Sequence, residues 1–320
     1  MTALDADQAA VRALAPGVSG VVVGGPGSGK TFVLRRRLAH LVAMADDADA
    51  VLVLTPSRPT ATALRDVLAL EVGRATAGPL ARSLPSFAYG IVRAAEVRRG
   101  GEPPQLLTGG DEDQLIHDLL AGDAIDETLG RSRWPASLSA PVRATAGFRA
   151  ELRALLAECA ALGIGPADLR ARADVEGRDA WASAASFAAD YADVRDRMRG
   201  AFRDAVTLLR EAAALVRRPG AGALLPAGLQ AILVDDAQEL TVGGVDLLVA
   251  LHERGIPVLA FGDPDIGSGA FRGASPEHFA ALAHRLGTAG VLTGAHRGTP
   301  FARDAVRRVV ERVGAAGVVA

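Results

Sequence analysis

A glycine-rich segment of eight residues near the amino terminus restricts the possible folds of this chain more than any other feature. The segment consists of Gly24, Gly25, Pro26, Gly27, Ser28, Gly29, Lys30 and Thr31, which satisfies the pattern G-x-x-x-x-G-K-[ST]. A β-branched run at residues 18–23 precedes it, and residues 31–44 follow with the periodicity of a helix. This order predicts an anion-binding loop, because glycines let successive N–H groups turn inward and the helix adds the positive end of its dipole.

Lys30 is the only lysine of the chain, since 34 of its 35 basic residues are arginines. A lysine in so arginine-rich a sequence indicates a task that arginine does not perform. In a loop of this type the lysine is expected to reach the β- and γ-phosphates, and the hydroxyl of Thr31 is expected to ligate Mg²⁺. The alternative is a glycine-rich turn with a surface lysine, which the flanking strand and helix disfavour. The segment therefore predicts a nucleoside triphosphate site.

Two carboxylates, Asp235 and Asp236, follow an apolar run at residues 231–234. In open α/β sheets, ligands bind at the carboxyl ends of the strands. Asp235 is a candidate to hold Mg²⁺ through water, and Asp236 is a candidate general base for the attacking water. An acidic turn or helix N-cap is the alternative, but the pairing with a phosphate loop favours a metal site. Arg297, at the end of a later strand, is a candidate γ-phosphate contact, with a surface arginine as the alternative.

Strand and helix signals divide the chain into regions of different character. Strand signals occur at residues 18–23, 51–54, 231–234, 258–261 and, weakly, 290–292. Residues 91–222 are instead rich in alanine, leucine and arginine, have helical periodicity and show no good strand. The pattern therefore predicts an α/β fold that is interrupted by a helical block of domain size.

Composition limits the environment and the partners of the chain. Its 320 residues carry a net charge of −2, so nucleic-acid binding would need a local groove and not a global basic field. The one cysteine, Cys159, fits a reducing cytoplasm. Its apolar helical surroundings predict a buried small hydrophobe. The sequence shows neither a signal-peptide pattern nor an apolar run of about 18 residues, which favours a cytoplasmic protein without a membrane span.

Taken together, these motifs resemble those of superfamily 1 DNA helicases of the UvrD/Rep/RecB group. The glycine-rich segment matches motif I, and residues 234–239 resemble the D-E-x-Q pattern of motif II. Other matches are the Q motif at residues 4–8, motif Ia at 54–58, motif III at 262–274 and motif IV at 292–298. The resemblance implies that Gln8 reads adenine, that Gln238 belongs to the nucleotide site and that Arg297 is the arginine of motif IV.

The resemblance also implies an architecture and a set of ligands. The fold would be a RecA-like P-loop NTPase parallel sheet, domain 1A, with an inserted all-α subdomain, 1B. The implied regions are residues 1–90 and 223–300 for domain 1A, 91–222 for 1B, and 301–320 for the start of a truncated second motor domain. ATP, Mg²⁺ and single-stranded DNA are the implied ligands of an enzyme that translocates 3′ to 5′ in repair or recombination.

Three short stretches resemble more narrowly the AdnA-type subunit of actinobacterial RecBCD-like helicase–nucleases. They lie at residues 104–109, 152–162 and 235–240. This resemblance implies a second helicase–nuclease subunit as a partner. The chain stops at Ala320, before the motifs V and VI of that group, so we expect a fragment or a truncated reading frame. Residues 301–319 predict one basic amphipathic helix.

Several positions depart from the pattern of the group. The catalytic glutamate is replaced by Asp236, which is one methylene shorter, and the glutamine of motif III is replaced by Ile266. The base-stacking tyrosine is replaced by Gly269, and the aromatic–histidine pair of motif Ib falls on Leu84 and Pro85. Stacking on a base contributes about 1–3 kcal/mol, so Gly269 weakens the contact with DNA. Phe271 is either a second stacking residue or part of the core. These departures predict attenuated or poorly coupled hydrolysis.

Two alternatives to a working motor remain at this point. A structural subunit that binds nucleotide and DNA without useful hydrolysis is favoured by the departures at Asp236, Ile266 and Gly269. An unrelated P-loop kinase or transporter ATPase is disfavoured by the segment at 262–274 and by the helical insertion. The helical block also carries several arginines, Arg131, Arg133, Arg195, Arg197 and Arg199. They either contact DNA phosphate or form a solvated charged face, and the second alternative is preferred.

Overall fold

The computed structural model of the chain describes residues 3–106, 109–197, 202–266, 275–297, 299 and 308. The contacts among them define two compact units. The sheet unit comprises the described residues of Met1–Ala95 and Leu209–Ala320, and the helical unit those of Glu96–Leu208. The region limits expected from the sequence, at residues 91 and 222, stay a prediction.

The described helices and strands alternate in the order expected of an α/β protein with a helical insertion. The helices are α1 (Ala6–Ala13), α2 (Lys30–Met44), α3 (Arg58–Val72), α4 (Leu84–Arg98), α5 (Gly109–Thr128), α6 (Ala140–Arg143), α7 (Ala146–Leu162), α8 (Pro166–Glu176), α9 (Asp179–Arg197), α10 (Ala205–Arg217), α11 (Val242–Glu253) and α12 (Pro276–Leu286). The strands are β1 (Gly20–Gly24), β2 (Val51–Thr55), β3 (Ala81–Ser83), β4 (Gln105–Leu106), β5 (Phe202–Arg203), β6 (Ala231–Val234), β7 (Val258–Gly262) and β8 (Thr288–Leu292).

Six strands form one parallel sheet in the order β3-β2-β6-β7-β1-β8. Every residue of β1, β2, β6 and β7 is buried, which explains why these strands are continuous apolar runs and not alternating ones. The predicted α/β class with a parallel sheet is confirmed. Strand β3 was missed because it is only three residues long and contains Arg82.

Helices α2 and α3 pack with the sheet around a shared apolar core. Buried members of this core include Val22, Val33, Leu34, Leu38, Val53, Leu64, Leu68, Leu233, Leu259 and Phe261. At the end of β7, Gly262 permits close packing by α12, because a Cβ there would lie 2.5 Å from the Phe279 ring. Truncating a leucine of such a core to alanine costs about 2–5 kcal/mol, so this packing contributes strongly to the stability of the sheet.

The helical unit has a core of its own around Trp134. The Trp134 ring meets Phe148 edge-on at 5.5 Å and Phe187 at 6.1 Å between ring centroids. Cys159 is partly buried against this core, and burial raises the pKa of its thiol. The expectation of no good strand needs one correction. Gln105 pairs with Phe202 in a two-residue parallel ladder, β4–β5, which is too short to leave a periodic pattern.

Within the part of the chain that the structure describes, no helix combines the length and the apolar character that crossing a bilayer requires.

Candidate functional site

The glycine-rich segment is the loop between β1 and α2, and its geometry requires glycine. Gly27 and Gly29 have positive φ angles of 78° and 84°, a region that L side chains rarely adopt. A Cβ on Gly24 would lie 2.5 Å from Ser28 Oγ. Gly29 caps α2 without a side-chain hydrogen bond, so no side chain of the cap takes the place of an anion at the first turn of α2.

Ser28 is buried inside this loop, whereas Gly25 and Pro26 are exposed at its tip. Its Oγ has no hydrogen-bond partner among the described residues. Because a buried hydroxyl is rarely left unpaired, this atom and the glycine backbone around it fit a ligand with oxygen acceptors.

Lys30 directs its ammonium group back across the loop. Nζ donates to the carbonyl oxygens of Gly24 at 2.5 Å and Gly25 at 3.0 Å. The same atom lies 3.7 Å from Oδ2 of Asp263, a residue of the motif III segment to which the sequence assigned no role. Burial lowers the pKa of Lys30, while nearby carboxylates, that of Asp263 first, oppose this shift.

Thr31 and Asp235 form the contact that joins the two predicted halves of the site. Thr31 Oγ1 donates to both carboxylate oxygens of Asp235, at 3.1 and 3.0 Å. Asp235 is only 4% exposed. Its burial, followed by the neighbouring Asp236 charge, raises its pKa to about 6, and the Thr31 hydroxyl opposes this. A hydroxyl and a carboxylate are oxygen ligands that Mg²⁺ accepts, so these residues fit the ion.

The order of the strands explains why these groups meet. Strand β7 lies between β1 and β6, so Asp263, which follows β7, lies between the phosphate loop and Asp235. Neighbouring strands of a sheet are about 4.8 Å apart, which places the three strand ends within reach of one triphosphate. The sequence named site residues at the first and third of these strand ends. It placed Asp263 in motif III but gave it no role, because a carboxylate in a turn after a strand is common.

Asp236 has a conformation unlike any other described non-glycine residue, with a positive φ of 52°. Aspartate tolerates this region better than most residues, and such outliers cluster at functional sites. Gln238 holds it there, because Nε2 of Gln238 donates to Asp236 Oδ1 at 3.3 Å. The Oε1 atom of Gln238 accepts from the backbone N–H of Asp263 at 3.2 Å. Gln238 therefore connects the ends of β6 and β7.

Gln8 is buried and contacts the phosphate loop directly. Its Nε2 donates to the Ser28 carbonyl oxygen at 3.0 Å, and its Oε1 accepts from the Asp5 N–H at 3.2 Å. The Asp5 side chain in turn accepts from the Gln8 N–H at 2.8 Å, which completes a capping box on α1. The structure thus assigns Gln8 a contact with the loop backbone, and its contact with adenine stays a prediction.

Arg297 belongs to a segment after β8 that packs on the phosphate loop. The backbone N–H of His296 donates to the Gly27 carbonyl oxygen at 2.8 Å. A Cβ on Gly27 would lie 2.9 Å from Arg297 Cβ. His296 Nε2 lies 2.7 Å from Asp5 Oδ2, which links this segment to α1. The Arg297 side chain is exposed beside the loop, and its contact with a γ-phosphate stays a prediction.

The positions that depart from the DNA-contacting pattern of the group differ in their exposure. Leu84 is only 2% exposed at the start of α4 and serves the core. Ile266 is 44% exposed. Gly269 and Phe271 lie outside the described residues. The described part of this region thus offers an apolar side chain where the group has a polar one.

The arginines of the helical unit that the sequence singled out are engaged by carboxylates. The pairs are Arg131 with Asp126, Arg133 with Asp123 and Asp190, Arg195 with Asp204, and Arg197 with Asp193. Arg199 lies outside the described residues. Each of these four guanidinium groups has an anionic partner, which agrees with the preferred expectation of a charged surface. The alternative, a contact with DNA phosphate, stays a prediction.

A family model described as the UvrD/REP helicase N-terminal domain matches residues 4–286. The chain belongs to this family. UvrD/REP helicase domains are ATP-binding motor domains that generally use Mg²⁺ and act on DNA, which agrees with the loop and carboxylate geometry. Membership removes the kinase and transporter alternatives. No curated protein matches the chain.

Proposed function

We propose that this chain is the ATP-binding motor domain of a UvrD-like DNA helicase that moves 3′ to 5′ on single-stranded DNA in repair or recombination. The observation that carries the proposal is the contact of Thr31 with Asp235 across 204 residues. It joins the phosphate loop after β1 to the buried carboxylate after β6, two strands apart in the sheet, as the hydrolysis of a Mg²⁺-bound triphosphate requires.

Each residue of the site has a role that its position supports. The glycine loop and the start of α2 receive the phosphates, and Lys30 neutralises the β- and γ-oxygens. Thr31 and Asp235 would hold Mg²⁺, which supplies charge neutralisation and orients the phosphates when bound. Among the described residues no group of three or more His, Cys, Asp or Glu side chains forms a metal site, so phosphate oxygens and water would complete the coordination.

Asp236 is the group that would accept a proton from water as the water oxygen attacks the γ-phosphorus and ADP leaves. Its shorter side chain, its positive φ and the hydrogen bond from Gln238 hold its carboxylate close to the backbone. Ile266 has no polar atom on its side chain with which to sense a γ-phosphate. We therefore propose that hydrolysis is slow relative to binding.

The partners follow from the same proposal. Single-stranded DNA is the polymer on which the motor acts, and ATP-driven closure of two domains would move it. Because this chain resembles the AdnA-type subunit, a second helicase–nuclease subunit is the proposed protein partner. The cytoplasm is the proposed location.

Binding and turnover of ATP test this function on the purified chain. We expect Mg²⁺-dependent binding of ADP and ATP that Lys30→Ala abolishes, with slow turnover in the presence of single-stranded DNA. Asp236→Glu, which restores the longer carboxylate, is expected to increase turnover about tenfold or more, within the range of general-base effects. Absence of Mg²⁺-dependent binding would refute the proposal. Turnover at the level of ordinary helicases would refute the attenuation.

A second candidate is a structural subunit that binds nucleotide and DNA without useful hydrolysis. The positions of Asp236 and Ile266 favour it. It predicts the same binding as the motor but no gain of turnover in Asp236→Glu, so the same variant separates the two functions.

A further inference from the structure

Asp263 is a buried carboxylate with an incomplete set of partners. The residue is 3% exposed at the end of β7. Its Oδ1 accepts from the Asp265 backbone N–H at 3.1 Å. Its Oδ2 is buried and has no hydrogen-bond partner among the described residues. Within the described part of the chain, its ion-pair partner is the Lys30 ammonium, which lies 3.7 Å from this oxygen.

A buried carboxylate of this kind depends strongly on its counter-ion. An ionised carboxylate inside a protein is tolerated when it is paired, and the loss of the partner leaves an uncompensated charge. Lys30 is the only lysine of the chain, and the phosphate loop needs that same ammonium for phosphate. The Asp263 carboxylate and the nucleotide phosphate would therefore compete for the Lys30 ammonium, and Asp263 is already 3.7 Å from it.

We propose that Asp263 is a positioning residue for Lys30, which holds the ammonium group in the nucleotide-free protein and competes with phosphate oxygens for it. This inference rests on the proposed nucleotide site. When a phosphate takes the ammonium, the Asp263 carboxylate stays within the same small volume as the incoming negative charges. Asp263 therefore weakens the binding of nucleotide and favours its release.

Asp263 could also have the opposite role, in which its carboxylate increases the affinity for nucleotide. A carboxylate beside the phosphates could accept a hydrogen bond from a Mg²⁺-bound water and so strengthen binding. The direct approach of Oδ2 to Lys30 favours competition, since Lys30 Nζ donates to the two loop carbonyl oxygens on the side of Gly24 and Gly25 and faces Asp263 at the same time.

Asp263→Asn is the informative substitution, because asparagine has the same shape and keeps an oxygen for the Asp265 N–H. The backbone N–H that donates to Gln238 is also kept. Glu277→Gln serves as the control, since it removes one negative charge from an exposed position in the same unit. Affinity for ADP and for a non-hydrolysable ATP analogue, both with Mg²⁺, is measured by calorimetry on the full chain.

We expect Asp263→Asn to bind both nucleotides about tenfold more tightly, which corresponds to about 1.4 kcal/mol, and Glu277→Gln to match the original chain. Equal or weaker binding by Asp263→Asn overturns the inference. A misfolded variant cannot imitate the expected result, because misfolding weakens binding. Asp263→Ser, which also removes the charge, is expected to tighten binding in the same direction.

The single lysine provides a second readout that does not depend on affinity. Labelling the chain with ¹³Cε-lysine gives one side-chain signal, that of Lys30. Without nucleotide, we expect this signal to differ between the original chain and Asp263→Asn, and saturating ADP is expected to bring the two signals together. Identical signals before nucleotide is added would overturn the inference. Failure of the original chain to bind any nucleotide would instead refute the proposed function.

Discussion

Thr31 Oγ1 donates a hydrogen bond to both carboxylate oxygens of Asp235, at 3.1 and 3.0 Å, although 204 residues separate the two along the chain. The contact exists because β1 and β6 are separated only by β7 in the sheet. It fixes the distance between the phosphate loop and the buried carboxylate, and several measurable consequences depend on it.

Removing the Thr31 hydroxyl is expected to weaken nucleotide binding only when Mg²⁺ is present. Thr31→Ala eliminates one proposed oxygen ligand of Mg²⁺ and the hydrogen-bond donor that opposes the raised pKa of Asp235. We expect about a tenfold loss of ADP affinity with Mg²⁺, equivalent to about 1.4 kcal/mol, and little change in EDTA. Thr31→Ser retains the hydroxyl and serves as the control in calorimetric titrations. An equal loss with and without Mg²⁺ would contradict the metal role.

Asp235→Asn is expected to stabilise the nucleotide-free chain at neutral pH. The pKa of Asp235 is about 6 in the folded state, above the ordinary aspartate value of 3.8, so the folded state keeps a proton that the unfolded state releases. Between these values the free energy of unfolding falls as pH rises. Above pH 7 the asparagine variant should therefore be more stable by at most about 3 kcal/mol, and the difference should vanish below about pH 3, where both states keep the proton.

Urea unfolding followed by far-UV circular dichroism, in EDTA at a series of pH values, measures this difference. Asp246→Asn is a suitable control, because its carboxylate is 45% exposed and paired with Arg217 near the surface. A stability gain for Asp235→Asn that does not depend on pH would show that burial of the charge is not its cause.

Two glycines allow the close contact of Gln8 with the phosphate loop to be isolated from backbone strain. Gly29 and Gly73 both have positive φ, at 84° and 60°. A Cβ on Gly29 would lie 2.7 Å from Gln8 Nε2, whereas a Cβ on Gly73 meets nothing within 4 Å. Each substitution to alanine carries the strain of the left-handed region, about 1 kcal/mol.

We expect Gly29→Ala to lower the melting temperature more than Gly73→Ala does, with an additional destabilisation of about 1–3 kcal/mol from the forced shift of Gln8. Gly29→Ala combined with Gln8→Ala removes the obstructing amide and should recover part of that difference. Equal melting temperatures for the two single variants would show that the Gln8 side chain moves aside without a loss of stability.

Asp123 is expected to be the most sensitive carboxylate of the helical unit. It is 5% exposed, accepts from Trp134 Nε1 at 2.6 Å and pairs with Arg133 at 2.6 Å. Asp123→Ala leaves a buried indole N–H and a guanidinium without this partner, which should destabilise the unit by about 3–5 kcal/mol. Both tryptophans, Trp134 and Trp181, lie in this unit, so their fluorescence during urea unfolding reports its stability.

Asp193→Ala is the matched control for Asp123, because its carboxylate is 69% exposed and pairs with Arg197 four residues away. Exposed pairs of this spacing contribute about 0.3–0.5 kcal/mol, so the control should unfold close to the original chain. A similar loss in both variants would show that burial of Asp123 does not set the strength of its interactions.

The sequence alone determined the elements whose signals are local. The phosphate loop was legible because glycines, one lysine and one threonine occur within eight residues between a strand and a helix. The strands now labelled β1, β2, β6, β7 and β8 were legible because buried parallel strands are apolar runs. In contrast, the edge strand β3 has three residues, which is too few for a pattern.

The tertiary structure alone decided which distant groups meet. That Asp263 faces Lys30, that Gln238 joins Asp236 to Asp263, and that Gln8 holds Ser28 follow from the order of the strands and the position of α1. Parallel strands pair through long crossover connections, so the neighbours of a strand end are not encoded in its own residues. The sequence therefore indicated that Lys30 belongs to a phosphate-binding loop, and only the fold showed that Asp263 lies 3.7 Å from its ammonium group.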